Sequence, residues 1–373
     1  MSRTVAITFL VAVALLACLG ILMLASTGGY AKDLPRNASV YYFAQSQGVY
    51  LALGLLLAVV AGVIDYEFWT RRIFHVPLWA CLMAGAFVAL LLCLVPGIGV
   101  TINGSSRWVK LPGLPQFQPS ELAKVASVFF LAWWAATFHA HVREFWRGFI
   151  FPLAAVGAFC VPILFEVDLG TTALIMAACL TVMFFAGTHW AYVGTTVVAG
   201  AAALAGVIIL IPNRARRFLE FYYGEDHQQK WAEIAFGLGG IDGAGYGQGV
   251  IKMLYLPFAH TDFIFSMVGE ELGLKVTVLV VLAYLTILLC GVHIALHARE
   301  RFGAVLAIGC VLMLTIQATI NMGVTLSLFP NKGMPLPFVS YGGTGIVVSC
   351  LMVGLVMSVY RHGRGERRGG VRI

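Results

Sequence analysis

Between positions 256 and 273 the chain reads LPFAHTDFIFSMVGEELG, which sets His260, Asp262, Glu270 and Glu271 close to apolar runs of membrane length. A carboxylate just before an apolar helix can act as a general base at the mouth of a polar cavity, or it can cap the helix. Both readings of Asp262 stand at this point. Adjacent acids at 270 and 271 cannot face lipid. A span starting at Phe263 would carry them on the order of 12 Å deep at about 1.5 Å per residue, and Val276 to Leu296 is already a full span. FIFSMVGEELGLK is therefore expected to be a short half-embedded helix at the outer side, with Glu271 and Lys275 paired at i,i+4.

Three other stretches carry chemistry. NGSSRWVKLPGLPQFQPSELAK holds Arg107, Trp108 and Lys110 in a loop, then Ser120 as an expected N-cap and Glu121 in the first turn. Glu121 and Lys124 share a helix face and can pair, either as a structural ion pair or as the lining of a wet cavity. FEVDLGTT places Asp168 at the head of a span, with Glu166 two residues earlier, and an acid there is often only a cap. NMGVTLSLFPNKGMPLPFVSYGGTG follows a span containing Gln317 and Asn321, and its prolines, Lys332 and SYGGTG turn suit a preorganised polar site.

The elements that must position these residues are membrane helices. Of 373 residues 60% are hydrophobic and only 11% charged, which excludes an ordinary soluble domain. The eight cysteines all lie in apolar runs and read as small core residues. The net charge of +7 is scattered between spans with no basic stripe, so no nucleic acid partner is expected. A helix crossing about 30 Å of hydrocarbon needs about 20 residues. Ten segments qualify, near 5–25, 47–65, 75–97, 121–138, 149–165, 168–187, 191–211, 276–296, 304–327 and 343–360. The expected fold is an all-α polytopic membrane protein of about ten transmembrane helices, one domain over 1–373.

With the N-terminus in the cytoplasm, the short arginine-bearing connectors and the basic tail 361–373 fall on the cytoplasmic side. The long segments 26–46, 98–120, 212–275 and 328–342 then lie outside, the largest between helices 7 and 8. Its glycines at 237, 239, 240, 243, 245, 247 and 249 form no nucleotide fingerprint and suit close backbone approach to a ligand or a surface turn.

NGSSRWV with FQPSELAK, DLGT, GGIDGAGYGQG, LPFAHTDFIFSMVGEELG and NMGVTLSLFPNKGMPLPFVSYGGTG, taken together and in this order over about residues 103–345, resemble the SEDS family (shape, elongation, division and sporulation), the FtsW and RodA group. The resemblance implies a peptidoglycan glycosyltransferase of the bacterial plasma membrane. Such an enzyme polymerises lipid II, the undecaprenyl-pyrophosphoryl disaccharide-pentapeptide, on the outer face during division or elongation. By position, Asp262 corresponds to the family's catalytic acid, Glu121 and Lys124 to its cavity pair, Asp168 to the acid of its DLGT block and Arg107 to its first outer basic residue. Lys332 and Ser340 of the last block are further expected substrate contacts.

Asp262 would be the general base for an inverting transfer, with Arg107, Lys124 and Lys332 on the departing pyrophosphate. No cofactor is required by this reading and no metal ligand is assigned, although the pyrophosphate leaves room for a divalent cation. The expected partners are a class B penicillin-binding transpeptidase and other divisome or elongasome membrane proteins. PNKG with Lys332 is more similar to FtsW than to RodA. The chain departs from the family at Phe258, where an acid is usual, at Val167, where a proline is usual, and at Gly345, where a serine or alanine is usual. A lipid II flippase is the competing reading and a non-catalytic scaffold a third; the charges cluster at the outer boundary, which favours the enzyme.

Overall fold

The computed structural model describes residues 2–363 except 32, 33, 36, 37, 74, 103, 104, 111, 112, 114, 167 and 211. Val167 and most of the basic tail therefore fall outside the described residues.

Each of the ten apolar segments forms a helix. They are α1 (Arg3–Thr27), α2 (Tyr42–Val63), α3 (Leu78–Cys93), α4 (Pro119–Thr137), α5 (Phe151–Phe165), α6 (Leu169–Ala186), α7 (Trp190–Leu210), and, beyond α8 (Pro212–Tyr222), α9 (His227–Gly239) and α10 (Ile251–Leu254), α11 (Ile264–Leu296), α12 (Arg301–Thr325) and α13 (Gly343–His362). Among the described residues seven stretches, those of α1, α2, α5 with the turn before it, α6, α11, α12 and α13, are long and apolar enough to cross a membrane. The chain is a multi-pass membrane protein. Among the described residues strands are confined to two short hairpins, of which β3 (Gly99–Ile102) with β4 (Ser105–Val109), following β1 (Arg72–Ile73) and β2 (Val76–Pro77), matters for the site.

The bundle is built around α12, which packs on α4, α6, α11 and α13 and is almost entirely enclosed. Its buried amides Gln317 and Asn321 need such a place away from lipid. Leu15 of α1, Val49 and Leu56 of α2 and Val198 of α7 instead face outward, as lipid contact requires. α2 and α13 meet through small residues: a Cβ at Gly354 would lie 2.4 Å from the Ala58 carbonyl oxygen, the close approach that drives helix association where lipid is as apolar as the side chains.

α11 is interrupted. Gly273 has φ 75° and ψ −178°, so Ile264–Leu296 is two helical pieces meeting at a glycine. The glycine-rich segment closes over the break. Ala244 and Gly245 N–H groups donate to the carbonyls of Glu270 and Glu271 at 2.9 and 3.0 Å, and Leu274 N–H donates to the Gly240 carbonyl at 2.9 Å. Helix ends leave backbone groups without intrahelical partners, and here the loop supplies them. A Cβ at Gly273 would stand 2.4 Å from the Gly243 nitrogen. Gly239 and Gly243 thus serve a backbone-to-backbone contact with α11, and Gly240, Gly243, Gly245 and Gly247 take the positive φ of turn residues, as expected of part of this segment.

Two local expectations are corrected. Glu271 does not pair with Lys275: its Oε1 lies 2.6 Å from Lys252 Nζ, and Lys275 turns instead to Asp242. The i,i+4 geometry is lost because the helix breaks between the two residues. Ser120 does not cap α4. Gln118 is the N-cap residue and Pro119 takes the first helical position, where its missing N–H costs nothing.

Candidate functional site

The charged and polar residues singled out by their sequence gather where α4, α6, α11 and α13 begin and α12 ends. Three parts compose the site.

The first is the wall formed by the β3–β4 hairpin and the head of α6. Register runs Val100 to Trp108 and then Thr101 to Ser106, leaving Arg107 as the extra residue of a bulge. Bulges re-aim side chains, and this one brings Arg107 Nε 3.7 Å from Asp168 Oδ2 and 2.8 Å from Ser105 Oγ. Asp168 caps α6, accepting from Thr171 N–H at 3.0 Å and the Thr171 hydroxyl at 2.8 Å. Capping and pairing are therefore combined in one carboxylate. Behind it Glu166 is buried, and its backbone carbonyl accepts from the Ser105 hydroxyl. Burial pushes the Glu166 carboxyl up to about 7; Asp168 raises it further, while the Cys93 thiol and Arg107 oppose the rise.

The second part is the ion pair of α4. Lys124 Nζ lies 2.7 Å from Glu121 Oε2 and donates to Gln317 Oε1 of α12 at 2.8 Å. All three side chains are buried. In a membrane interior such charges persist only when paired or facing a polar cavity.

The third is Asp262. It lies in the turn before α11 and does not cap it: Phe263 is the N-cap residue, with no side-chain cap bond. The Asp262 carboxylate instead faces the 328–342 loop, where a Cβ on Gly333 would sit 3.3 Å from Oδ2. Gly333 has φ +56°, a conformation favoured for a residue without a side chain. Desolvation pushes the Asp262 carboxyl up to about 6; His260 and Arg107 pull against the rise and Asp168 adds to it. The hairpin wall and the α11 turn are thus electrostatically one site.

The loop holding Lys332 is seated against α6, where a Cβ on Gly170 would lie 3.2 Å from the Lys332 carbonyl. Ser340 is buried, and its hydroxyl accepts from Leu336 N–H at 2.7 Å and donates to the Thr261 carbonyl at 2.5 Å. Through these two bonds it holds the loop to the Asp262 turn. Gln47 was missed altogether. Its side-chain amide donates to the Ser340 carbonyl at 2.9 Å and accepts from Gly342 N–H at 3.2 Å; an uncharged amide inside an apolar run was the available clue. Among the described residues no three His, Cys, Asp or Glu side chains converge as a metal cage.

Comparison with known proteins agrees with this architecture. A curated protein of Geobacter metallireducens named as a probable peptidoglycan glycosyltransferase FtsW is 37% identical over 367 residues, covering 96% of this chain and 95% of its own. A solved chain reported under the coordination of polymerization and crosslinking by a peptidoglycan synthase complex superposes with a TM-score of 0.76 at 26% identity, over 96% of this chain and 98% of that one. The rod shape determining protein RodA of Thermus thermophilus gives 0.69 at 26% identity, over 96% and 97%. A family profile described as cell cycle protein, grouping FtsW, RodA and SpoVE, matches residues 6–365. The chain belongs to the FtsW, RodA and SpoVE family of cell cycle proteins.

Proposed function

We propose that this chain is a peptidoglycan glycosyltransferase that polymerises lipid II at the outer face of the bacterial plasma membrane, with both termini cytoplasmic and Asp262 as general base. The observation that carries the reading is the placement of the Asp262 carboxylate in the shared field of Arg107, Asp168 and His260, with its pKa raised to about 6. A base works best when its pKa lies near the working pH. Asp262 takes the proton from the acceptor sugar's 4-hydroxyl as that oxygen attacks the donor's anomeric carbon and the bond to pyrophosphate breaks. Attack opposite the leaving group inverts the centre, from an α-linked donor to a β-linked product.

Arg107, Lys124 and Lys332 meet the charge that develops on the pyrophosphate. Asp168 aims Arg107, and Glu121 holds Lys124 in place. The relatives named FtsW support a role in division, and the likeness to a synthase complex supports a class B penicillin-binding transpeptidase as partner. Other divisome or elongasome proteins would join through the lipid-facing helices.

A flippase would need a polar path through the bundle, whereas Glu121, Lys124, Asp168, Lys252, Glu270 and Glu271 gather towards one end. Incubating the purified complex of this chain and its transpeptidase with lipid II tests the reading: the wild type is expected to make glycan polymer and Asp262→Ala none. Equal polymer from both would remove Asp262 as base, and lipid II translocation without polymer would favour the transporter.

A further inference from the structure

We propose that Gln317 and Asn321 are positioning residues for the glycosyl transfer, two side-chain amides one turn apart on α12 that set where Asp262 and Lys124 stand relative to one another. The inference rests on the roles given above to those two residues.

Gln317 and Asn321 are four apart and so share one helix face. Gln317 accepts from Lys124 Nζ through Oε1 at 2.8 Å and donates through Nε2 to the Pro335 carbonyl at 2.8 Å. Asn321 donates through Nδ2 to the Asp262 carbonyl at 2.8 Å and to the Met334 carbonyl at 2.6 Å. An amide nitrogen carries two hydrogens, so one Asn321 group holds the backbone of the base and the backbone of the loop at once. Each amide therefore runs from one reacting element to one of two successive loop carbonyls, and the same loop carries Lys332 and places Gly333 against the Asp262 carboxylate.

Both amides are almost fully buried, Gln317 at 6% and Asn321 at 2% exposed, in the most enclosed helix of the bundle. Polar groups in such a place are costly unless bonded, and an apolar pair would pack α12 more simply. The plain alternative is that the amides only satisfy the carbonyls of a proline-rich loop. That alternative predicts a loss of stability and no selective effect on turnover. Positioning predicts a selective fall in turnover whatever the loss of stability, because a misplacement of about 1 Å between reacting groups costs roughly 10²-fold in rate.

The test uses the complex with its transpeptidase and lipid II, with kcat and KM measured for Gln317→Met, Gln317→Glu, Asn321→Leu, Lys124→Met and the double Gln317→Met/Lys124→Met. Gln317→Met and Asn321→Leu are expected to lower kcat by roughly 10²-fold with little change in KM. Gln317→Glu keeps an acceptor for Lys124 but loses the donor to Pro335, and should fall between wild type and Gln317→Met. The double variant should be no slower than Lys124→Met alone, since residues acting as one unit are not additive. Wild-type kcat in both Gln317→Met and Asn321→Leu would overturn the proposal, and so would a double variant whose loss is the product of the two single losses. Thermal unfolding of each purified variant accompanies the kinetics, and if Asn321→Leu fails to fold the Gln317 variants and the double decide alone. Wild-type polymerisation by Lys124→Met or Asp262→Ala would instead remove the underlying roles, a different result from failure of the amides.

Discussion

Lys252 Nζ lies 2.6 Å from Glu271 Oε1, with neither side chain more than 1% exposed. The same ammonium donates to Ser26 Oγ at 2.7 Å and to the Gly247 carbonyl at 3.0 Å, and sits 5.4 Å from the Tyr30 ring centroid. Glu271 also accepts from the Ser26 hydroxyl at 2.7 Å and Gly247 N–H at 2.9 Å. One buried pair thereby ties α1, the glycine-rich segment and the first piece of α11. Removing one partner strands the other, so Lys252→Met is expected to destabilise the protein by about 3–5 kcal/mol. Adding Glu271→Gln should restore part of the loss, because a neutral amide still accepts and carries no buried charge. Chemical unfolding in detergent reads both; an unchanged midpoint in the single variant would refute the strapping role.

Gly273 should not tolerate a side chain. Its φ of 75° is strained for other residues, and the Cβ would meet the Gly243 nitrogen and Ile241 carbonyl at 2.4 and 2.5 Å. Gly273→Ala is expected to cost more than the roughly 1 kcal/mol of left-handed strain alone, since backbone must also move. Comparison with Gly85→Ala, where nothing stands within 4 Å, controls for helix propensity; equal melting temperatures in the two variants would contradict the argument.

Polymerisation should rise with pH through a midpoint near 6. Burial holds the Asp262 carboxyl protonated up to about that value, and only the ionised form can take a proton. Activity is therefore lost as pH falls through 6. Because Arg107 lowers this pKa and Asp168 raises it, Arg107→Gln should move the acidic limb to higher pH and Asp168→Asn to lower pH. The pH–kcat profile of whatever activity each variant retains is the check, and shifts in the opposite directions would show that the limb belongs to another group.

Phe258 is half-exposed, and its part in the turn is through its backbone, the carbonyl accepting from Thr261 N–H at 3.2 Å and Phe263 N–H at 3.3 Å. Phe258→Glu, which installs the acid usual in the family, should therefore change stability by no more than about 0.5 kcal/mol. A large drop in the unfolding midpoint would mean the ring packs more tightly than its exposure indicates.

What the residues disclosed in advance follows the range of the physics involved. Hydropathy located the segments that become helices, and spacing of three paired Glu121 with Lys124 correctly, since both rules act within one helix. Pro119 could have corrected the cap by the same local logic, because proline favours the first helical position. Arg107 and Asp168 are joined by a hairpin bulge, and the partner of Glu271 was hidden because Gly273 interrupts the helix on which the i,i+4 rule depends. Gln317 and Asn321 stood out as polar residues in a span, but their partners come from α4, the α11 turn and the loop, which no periodicity connects.

Lys124 and Gln317 are 193 residues apart. At about 5–20 residues per second of synthesis, α4 leaves the ribosome roughly 10–40 s before the helix that supplies the amide. Glu121 comes with Lys124 on the same helix, so the ammonium has its counter-charge as soon as α4 forms. The three-residue spacing thus lets α4 enter the bilayer as a neutral pair, long before the centre of the bundle has been made.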